Sequence, residues 1–383
     1  MARTKAMLSN GARLSDFVTA SLLARVYSAT QIATILDAHG CNSRRIRSLP
    51  AVPGVYFCMA LSLYPDAAYE QVFGVVTQAL SWLQGSSSAL HSGEMTIAKS
   101  SISQMRSKIG YKPLQALAAQ CCVPLADAKQ HPDAFYNGLR LVAIDGSTFE
   151  VPDEAENINA FGYPAGRTES VGYPQARCAV IVECGTHAIL AANIDAFYVG
   201  EWTICQPMMA HLTPGMLCLA DRYFGGYNHW EAAKASGADL LWRCKDNRKL
   251  PVITPLSDQS YLSVIYPSDV VSAEKRLVTD RGIVVRVIDY TLPDALGTDI
   301  SQPPIHYRLL TTLLDEKAAP AMELAKIYHE RWEVEAVFDE LKTHLLQSRR
   351  VLRSKTPDLV RQEFYGWVLT HYAVRWLMHQ FKP

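Results

Sequence analysis

The chain has 383 residues, of which 49% are hydrophobic and 19% charged, and its formal net charge is zero. This composition predicts a globular protein of two or three domains and excludes a disordered or highly basic chain. No apolar run is long enough to span a bilayer and no signal peptide opens the chain, so we expect a cytoplasmic protein without a membrane partner. Nine cysteines without metal-ligand spacing indicate reduced, mostly buried thiols.

The N-terminal third of the chain predicts helices. Segments 15–40, 54–64 and 67–84 have helical apolar spacing, and an arginine-rich turn at 43–50 lies between the first two. Residues 95–113 carry four basic side chains and no acidic one. Three of them, Lys99, Arg106 and Lys108, are candidates for phosphate contacts, although a polar linker helix would show the same pattern.

The middle of the chain predicts a sheet with an acid after each of two apolar strands. Strand 138–144 is followed by Asp145 and strand 216–220 by Asp221. A hairpin at 176–184 and 187–195, a helix from Gly200-Glu201 to Leu212, a helix at 227–236 and a strand at 239–244 complete this part. An acid after a strand also serves turns and helix caps, so both interpretations stay open.

Residues 246–315 predict a β-rich insert, with strands at 261–266, 276–279, 283–291 and 306–312. The stretch after it, 328–342, has no Gly or Pro and predicts a helix. Four residues at intervals of three, four and seven fall on one face of that helix, namely Tyr328, Arg331, Glu335 and Lys342. An ordinary solvated, ion-paired face would have the same spacing.

The identities and gaps of these four residues resemble the Y-(2)-R-(3)-E-(6)-K signature of the DDE transposases of insertion sequence family four. The segments at Asp145 and Asp221 resemble that family's "DGTTLDVPDTPEN" and "LADRGF" motifs, and the arginine-rich turn resembles its "RRRRLP" step. The resemblance implies an α/β fold with an RNase H-like mixed-sheet core at 131–383. The insert at 246–315 would interrupt this core, and a helical DNA-end-binding domain at 1–130 would precede it.

The resemblance also implies a site. Asp145, Asp221 and Glu335 would be the catalytic, metal-binding acids for two Mg²⁺ ions, with Mn²⁺ as a substitute, because two hard cations can clamp a phosphate under attack. Further DNA contacts would come from Tyr328, Arg331, Lys342, Arg222 and Trp242, the last by stacking on an extruded base. The implied partners are double-stranded DNA, at terminal inverted repeats and target, and a second copy in a paired-end homodimer.

The predicted function is that of a bacterial insertion-sequence transposase, which cleaves at the terminal inverted repeats and transfers strands into target DNA. One alternative is an RNase H-like nuclease without strand transfer. Another is a C-terminally truncated, inactive or inhibitory DNA-binding relic, since family members usually continue beyond the equivalent of Pro383. In that case we expect the apolar face of helix 364–378 to be partly exposed and paired-end assembly to be weak.

Overall fold

A ten-stranded mixed sheet forms the centre of the molecule in a computed structural model that describes residues 21–43, 49–83, 98–164, 172–245, 247–270, 272, 276, 279–291, 306–345 and 351–380. The strands are β1 (Phe135–Tyr136), β2 (Leu139–Glu150), β3 (Gln175–Glu183), β4 (Ala188–Ala196), β5 (Met216–Ala220), β6 (Asp239–Cys244), β7 (Thr254–Pro255), β8 (Tyr261–Ile265), β9 (Ile283–Thr291) and β10 (His306–Thr311).

Helices surround this sheet and also form most of the N-terminal part. They are α1 (Ala29–Ala38), α2 (Ala51–Ala60), α3 (Tyr69–Leu83), α4 (Lys99–Ile109), α5 (Lys112–Cys121), α6 (Ala155–Phe161), α7 (Glu201–Cys205), α8 (Tyr227–Lys234), α9 (Ala321–Tyr328), α10 (Trp332–Asp339) and α11 (Pro357–Gln380). Helical turns at 21–26 precede α1, and the cap of α1 at Ser28 separates the two, so the predicted helix at 15–40 is interrupted. Among the described residues, no helix is both long and apolar enough to cross a membrane.

The core strands lie in the order β4-β3-β2-β5-β6. β2, β3 and β4 pair antiparallel, whereas β5 pairs parallel to β2 and β6 parallel to β5. β5 is buried along its whole length, as expected of a parallel strand covered on both faces. This order and these directions confirm the predicted α/β, RNase H-like core.

The predicted β-rich insert does not form a separate sheet. β10 pairs antiparallel with β6, and β9, β8 and β7 follow it outward, so the insert extends the core sheet. The strand predicted at 276–279 is not confirmed, because neither Arg276 nor Thr279 is extended into a strand and β9 pairs with β8 instead. The arginine-rich turn at 44–48 and the loop at 292–305 lie outside the described residues.

The long C-terminal helix α11 is covered along most of its length. Its aromatic residues Phe364, Trp367 and Tyr372 are buried, because α2 and α5 from the N-terminal part and strand β4 pack on it. The expectation that this apolar face would be partly exposed is therefore wrong up to Tyr372. Only its last turns are more open, where Met378 is exposed.

Arg106 joins α4 to the segment before α11 and is only 1% exposed. Its guanidinium donates to Gln362 Oε1 and Ser354 Oγ, each at 2.9 Å, and to the Tyr69 hydroxyl at 2.9 Å. Ser354 in turn donates to the buried carboxylate of Glu363 at 2.5 Å. The prediction that Arg106 contacts DNA phosphates is wrong in this structure, because its donors are used inside the protein.

Arg106→Ala should destabilise the fold by about 3–5 kcal/mol, because it leaves several buried acceptors without their donor. Urea unfolding of purified protein measures this loss. Lys108→Ala on the exposed side of the same helix is the control and should stay within about 0.5 kcal/mol of wild type. A stable Arg106→Ala protein would contradict the structural role.

A half-buried polar cluster ties the end of the signature stretch to α11. Glu340 accepts hydrogen bonds from His371 Nε2 at 2.8 Å, His187 Nδ1 at 2.9 Å and Arg375 Nε at 3.1 Å. Burial, and to a lesser extent the neighbouring His187, lower the pKa of His371 to about 3, while Arg375 already pairs with Glu340.

Stability should therefore fall as pH falls. The unfolded chain takes up a proton on His371 near pH 6.5, whereas the folded chain resists it down to about pH 3, so each pH unit in this window costs up to about 1.4 kcal/mol. Urea unfolding at pH 7 and pH 5 should show a smaller drop for His371→Asn than for wild type. His306→Asn, at an exposed strand end, is the control. Equal drops in all three proteins would contradict the prediction.

Candidate active site

The pairing of β2 with β5 brings the two aspartates together. Ile144 is the parallel partner of Ala220. Asp145 follows Ile144 along the chain, and Asp221 follows Ala220. Neighbouring strands lie about 4.8 Å apart, so both carboxylates leave the sheet at one edge. Asp145 does not end its strand as predicted, because β2 continues to Glu150 along β3 while β5 stops at Ala220.

Asp221 also caps the turn that follows it. Its Oδ1 accepts the Tyr223 N–H at 2.7 Å and so begins a short 3₁₀ helix over Arg222–Phe224. The capping interpretation of Asp221 is thus correct as local structure. It does not compete with a catalytic role, since a carboxylate has a second oxygen and further lone pairs.

The signature stretch is helical throughout, but its pitch changes three times. α9 ends at Tyr328, a 3₁₀ turn covers His329–Arg331, α10 follows, and a π-helix covers Glu340–Leu345. The prediction of one regular helix over 328–342 is therefore wrong in detail. Its predicted face nevertheless meets β2, since α10 packs on that strand.

Arg331 links two of the predicted acids. Its Nη1 donates to Asp145 Oδ2 at 3.2 Å, and its Nη2 donates to Glu335 Oε1 at 3.0 Å. The Arg331 side chain is only 11% exposed, so this is not the solvated surface pair that spacing alone allowed. The signature stretch and the distant Asp145 thus form one charged cluster, in which the guanidinium spans the two carboxylates.

Lys342 and Tyr328 lie on either side of this cluster. Lys342 Nζ donates to Ser147 Oγ at 2.5 Å and lies 5.5 Å from the centre of the Phe149 ring. Tyr328 is 3% exposed, and burial raises its pKa to about 12. Because it is buried, Tyr328 cannot contact DNA directly in this conformation as predicted. Its phenol instead interacts with Arg331.

The acids carry more negative charge than the cluster neutralises. Burial raises the pKa of Asp145 to about 6, and the Asp221 and Glu335 carboxylates raise it too, against the opposing effects of the Gly146 N–H and Arg331. A carboxyl whose charge is disfavoured by burial and by like charges is the usual sign of a functional site.

Glu201 is an acid of this site that the sequence did not reveal. It opens α7, and a Cβ built on Gly146 would lie 2.6 Å from its Oε1, so its carboxyl occupies the space that a side chain at position 146 would take. Burial and the Asp145 and Asp221 carboxylates raise the pKa of Glu201 to about 7. The sequence signal was only a helix start and a glycine after the first aspartate, and neither predicts their contact.

Of the remaining residues predicted to contact DNA, three are exposed and one is buried. Lys99, Lys108 and Arg222 are exposed. Trp242 is fully buried and packs against Trp230 at 5.2 Å between ring centres, because β6 is an interior strand. The predicted stacking role of Trp242 is therefore wrong. The exposed aromatic ring beside Asp221 is Tyr223, in an open groove of about 520 Å³ that Arg222 and Arg248 also line.

The donor set suits a hard cation such as Mg²⁺, which prefers carboxylate oxygens. In the described part of the chain, however, no three His, Cys, Asp or Glu side chains are close enough to hold a metal ion as placed. Arg331 lies between Asp145 and Glu335 in this structure, and its guanidinium donates to both carboxylates.

Comparison with known proteins gives matches over most of the chain. The family model described as "Transposase DDE domain" matches residues 136–372, and that described as "Insertion element 4 transposase N-terminal" matches residues 18–119. A curated Escherichia coli (strain K12) protein, "Transposase InsG for insertion sequence element IS4", is 26% identical over 299 residues, which is 74% of this chain and 61% of that protein.

A second protein of the same strain, "Putative transposase InsZ", is 27% identical over 151 residues, or 39% of this chain and 50% of that protein. The chain thus spans about three fifths or less of the length of these relatives. Among solved structures, a piggyBac transposase synaptic complex with hairpin DNA covers 94% of this chain and 75% of its own at 10% identity, with a TM-score of 0.44.

Proposed function

The chain belongs to the DDE transposases of the insertion element 4 family, and from this we propose that it cuts DNA at the ends of an insertion sequence and joins them to target DNA. The observation that supports this most is the convergence of Asp145, Asp221 and Glu335, with Arg331 and Lys342, at one edge of an RNase H-like sheet. A solvated helix face would not place these side chains against β2.

We further propose that Asp145, Asp221 and Glu335 hold two Mg²⁺ ions, or Mn²⁺ in their place. When bound, such ions neutralise charge on the phosphate under attack and activate the attacking water or 3′-hydroxyl. The chain's own part is to hold three carboxylates on rigid elements, two on paired strands and one on a helix packed against them. Rigid support of this kind keeps the acids in position as the phosphate moves.

The cationic side chains would bind the DNA backbone. Arg331 would exchange its carboxylate partners for a phosphate, which its planar fork also fits. Lys342 would supply a point charge beside Ser147, and Lys99, Lys108 and Arg222 would add affinity without reading sequence. Tyr223 replaces Trp242 as the residue proposed to stack on an unpaired base, because its ring is exposed next to Asp221.

The proposed partners are double-stranded DNA, at both inverted repeats and target, and a second copy of the chain in a homodimer that pairs two ends. Because such DNA lies in the bacterial cytoplasm, we propose that the protein acts there. The neutral net charge agrees with a local basic surface rather than a uniformly basic chain.

Lys342→Ala should weaken end binding at every salt concentration and reduce the slope of log affinity against log salt by about one, since one phosphate contact is lost. Fluorescence anisotropy over a salt titration measures both effects. Lys317→Ala is the matched control, because Lys317 is exposed in the turn after β10, at the opposite edge of the sheet. Equal slopes for wild type and Lys342→Ala would show that Lys342 does not contact a phosphate.

The function itself is tested with a duplex that carries the DNA flanking the coding sequence, incubated with and without Mg²⁺. We expect binding without metal, Mg²⁺-dependent cutting at the repeat, and joining of the new 3′-ends to a supercoiled plasmid. Cutting without joining would favour the nuclease alternative. Binding without cutting would favour the inactive relic.

A further inference from the structure

A second charged surface begins at the turn after Asp221 and continues onto the insert. The open groove of about 520 Å³ beside Tyr223 adjoins a smaller cavity of about 220 Å³, since Arg248, Tyr266 and Ser268 line both. Their walls come from the segments after β5, β6 and β8. We call the combined surface the insert groove. The cations among its described lining residues are Arg222, Lys245, Arg248, Lys249 and Arg276.

The insert groove has no acid among the described residues that line it. In the sequence, positions 245–249 carry three cations and one acid. Other arginines of the insert are paired, because Arg281 lies 2.5 Å from Asp269 and Arg308 lies 2.7 Å from Asp289. Within the described ranges, none of the groove cations forms an ion pair with a carboxylate. A chain of zero net charge thus keeps one groove positive, and such a local field attracts an anion.

Two of the groove arginines are already held in place. The Arg248 guanidinium donates to the Gly225 carbonyl, which ties the segment after β6 to the turn after β5. Arg276 lies over the Tyr266 ring, 5.3 Å from its centre. Stacking of this kind uses the face of the guanidinium and leaves its N–H edge for a phosphate. Cations and aromatic rings along two adjoining cavities fit a chain of phosphates better than one small anion.

The acids lie between the N-terminal helices and the insert groove. α5 and α11 pack on β4, at one edge of the sheet. Asp145 lies on β2 and Asp221 follows β5, in the middle of the strand order, whereas the groove also uses the segments after β6 and β8. Duplex DNA that is held by the N-terminal helices and extends past the acids would therefore reach the groove.

We propose that the insert groove binds the backbone of duplex DNA beyond the phosphate that is cut. Before cutting, this duplex is the DNA that flanks the element, and during joining it is the target. Flank and target have no fixed sequence, and contacts to phosphates need none. The inference rests on the proposed function, because it assumes that the N-terminal helices hold the element's end.

Fluorescence anisotropy without metal measures these contacts separately from cleavage. The variant is Lys245→Ala/Lys249→Ala, since both lysines are exposed and the change should leave the fold intact. One labelled duplex carries the end with its flank, and a second stops at the cut. On the flanked duplex we expect about tenfold weaker binding and a salt slope smaller by about two, because two phosphate contacts are lost. The pre-cut end should bind as it does to wild type.

A second arm of the experiment tests the target. Protein saturated with the pre-cut end is titrated with a labelled plain duplex, and the variant should bind this duplex about tenfold more weakly. A loss in the first arm alone assigns the groove to the flank, and a loss in the second alone assigns it to the target. Lys129→Ala/Lys317→Ala is the control, because these exposed lysines lie in the turns before β1 and after β10. It should match wild type in both arms.

Thermal unfolding of each variant checks that the protein is folded. Folded Lys245→Ala/Lys249→Ala protein with wild-type affinity in both arms would overturn the proposal. An equal loss on the flanked duplex and on the pre-cut end would also overturn it, because the lysines would then contact the end itself. Wild-type protein that shows the flank or target contact but never cuts DNA in Mg²⁺ would instead refute the proposed function alone.

Discussion

Asp145→Asn, Asp221→Asn and Glu335→Gln will each abolish DNA cleavage while leaving end binding close to that of wild type. Each change keeps the shape of the side chain and removes one metal-binding charge. A loss of about 10³-fold or more, equal to about 4 kcal/mol of transition-state stabilisation, is expected when a cation that carries phosphate charge is displaced.

Single-turnover cleavage of an end duplex in Mg²⁺, together with a binding isotherm for each protein, measures the two effects separately. Asp133→Asn is the control, because Asp133 is an exposed acid before β1 and outside the site. If a variant cuts at nearly the wild-type rate, the substituted acid is not part of the proposed metal site.

Arg331→Gln will strengthen metal binding and weaken DNA binding. In the DNA-free protein, Arg331 and a divalent cation compete for the same oxygens of Asp145 and Glu335. Loss of the guanidinium should therefore strengthen Mn²⁺ binding by about tenfold, which corresponds to one charged hydrogen bond of about 1.5 kcal/mol. DNA binding should weaken by at least as much, because a phosphate contact disappears with it.

Mn²⁺ titration and anisotropy on the same preparation measure both affinities. Arg281→Gln provides the control, since Arg281 pairs with Asp269 at the exposed surface of the insert. Unchanged Mn²⁺ affinity in Arg331→Gln would mean that the guanidinium and the metal do not share a site. Unchanged DNA affinity would leave Arg331 as a purely internal ion-pair partner.

The sequence predicted the core sheet well because its strands are simple apolar runs. β5 consists only of apolar residues, and β6 has the apolar run Leu240–Trp242 at its centre. The family resemblance implied the convergence of Asp145 with the signature stretch, whereas the spacing of Arg331 and Glu335 predicted only that these two share one helical face.

Residue type did not reveal which side chains face the interior. Arg106 and Trp242 resemble nucleic-acid contacts by chemistry, yet α11 covers the first and the interior position of β6 buries the second. Glu201 was missed for the converse reason, because its contact with Gly146 joins residues 55 positions apart and leaves no periodic signal. Tertiary packing determines the burial and the contacts of these side chains, and a local sequence pattern carries no information about that packing.

Iron-directed cleavage of the chain tests, without any DNA, whether Asp145, Asp221 and Glu335 share one divalent-cation site. Fe²⁺ bound in place of Mg²⁺ generates hydroxyl radicals with ascorbate and peroxide, and these cut the backbone beside the metal. If the three acids share a site, cuts will appear near residues 145, 221 and 335 in the same preparation, and they will be suppressed by excess Mg²⁺ and lost in Asp145→Asn. Cuts confined to other segments, or cuts that excess Mg²⁺ does not suppress, would contradict a shared site.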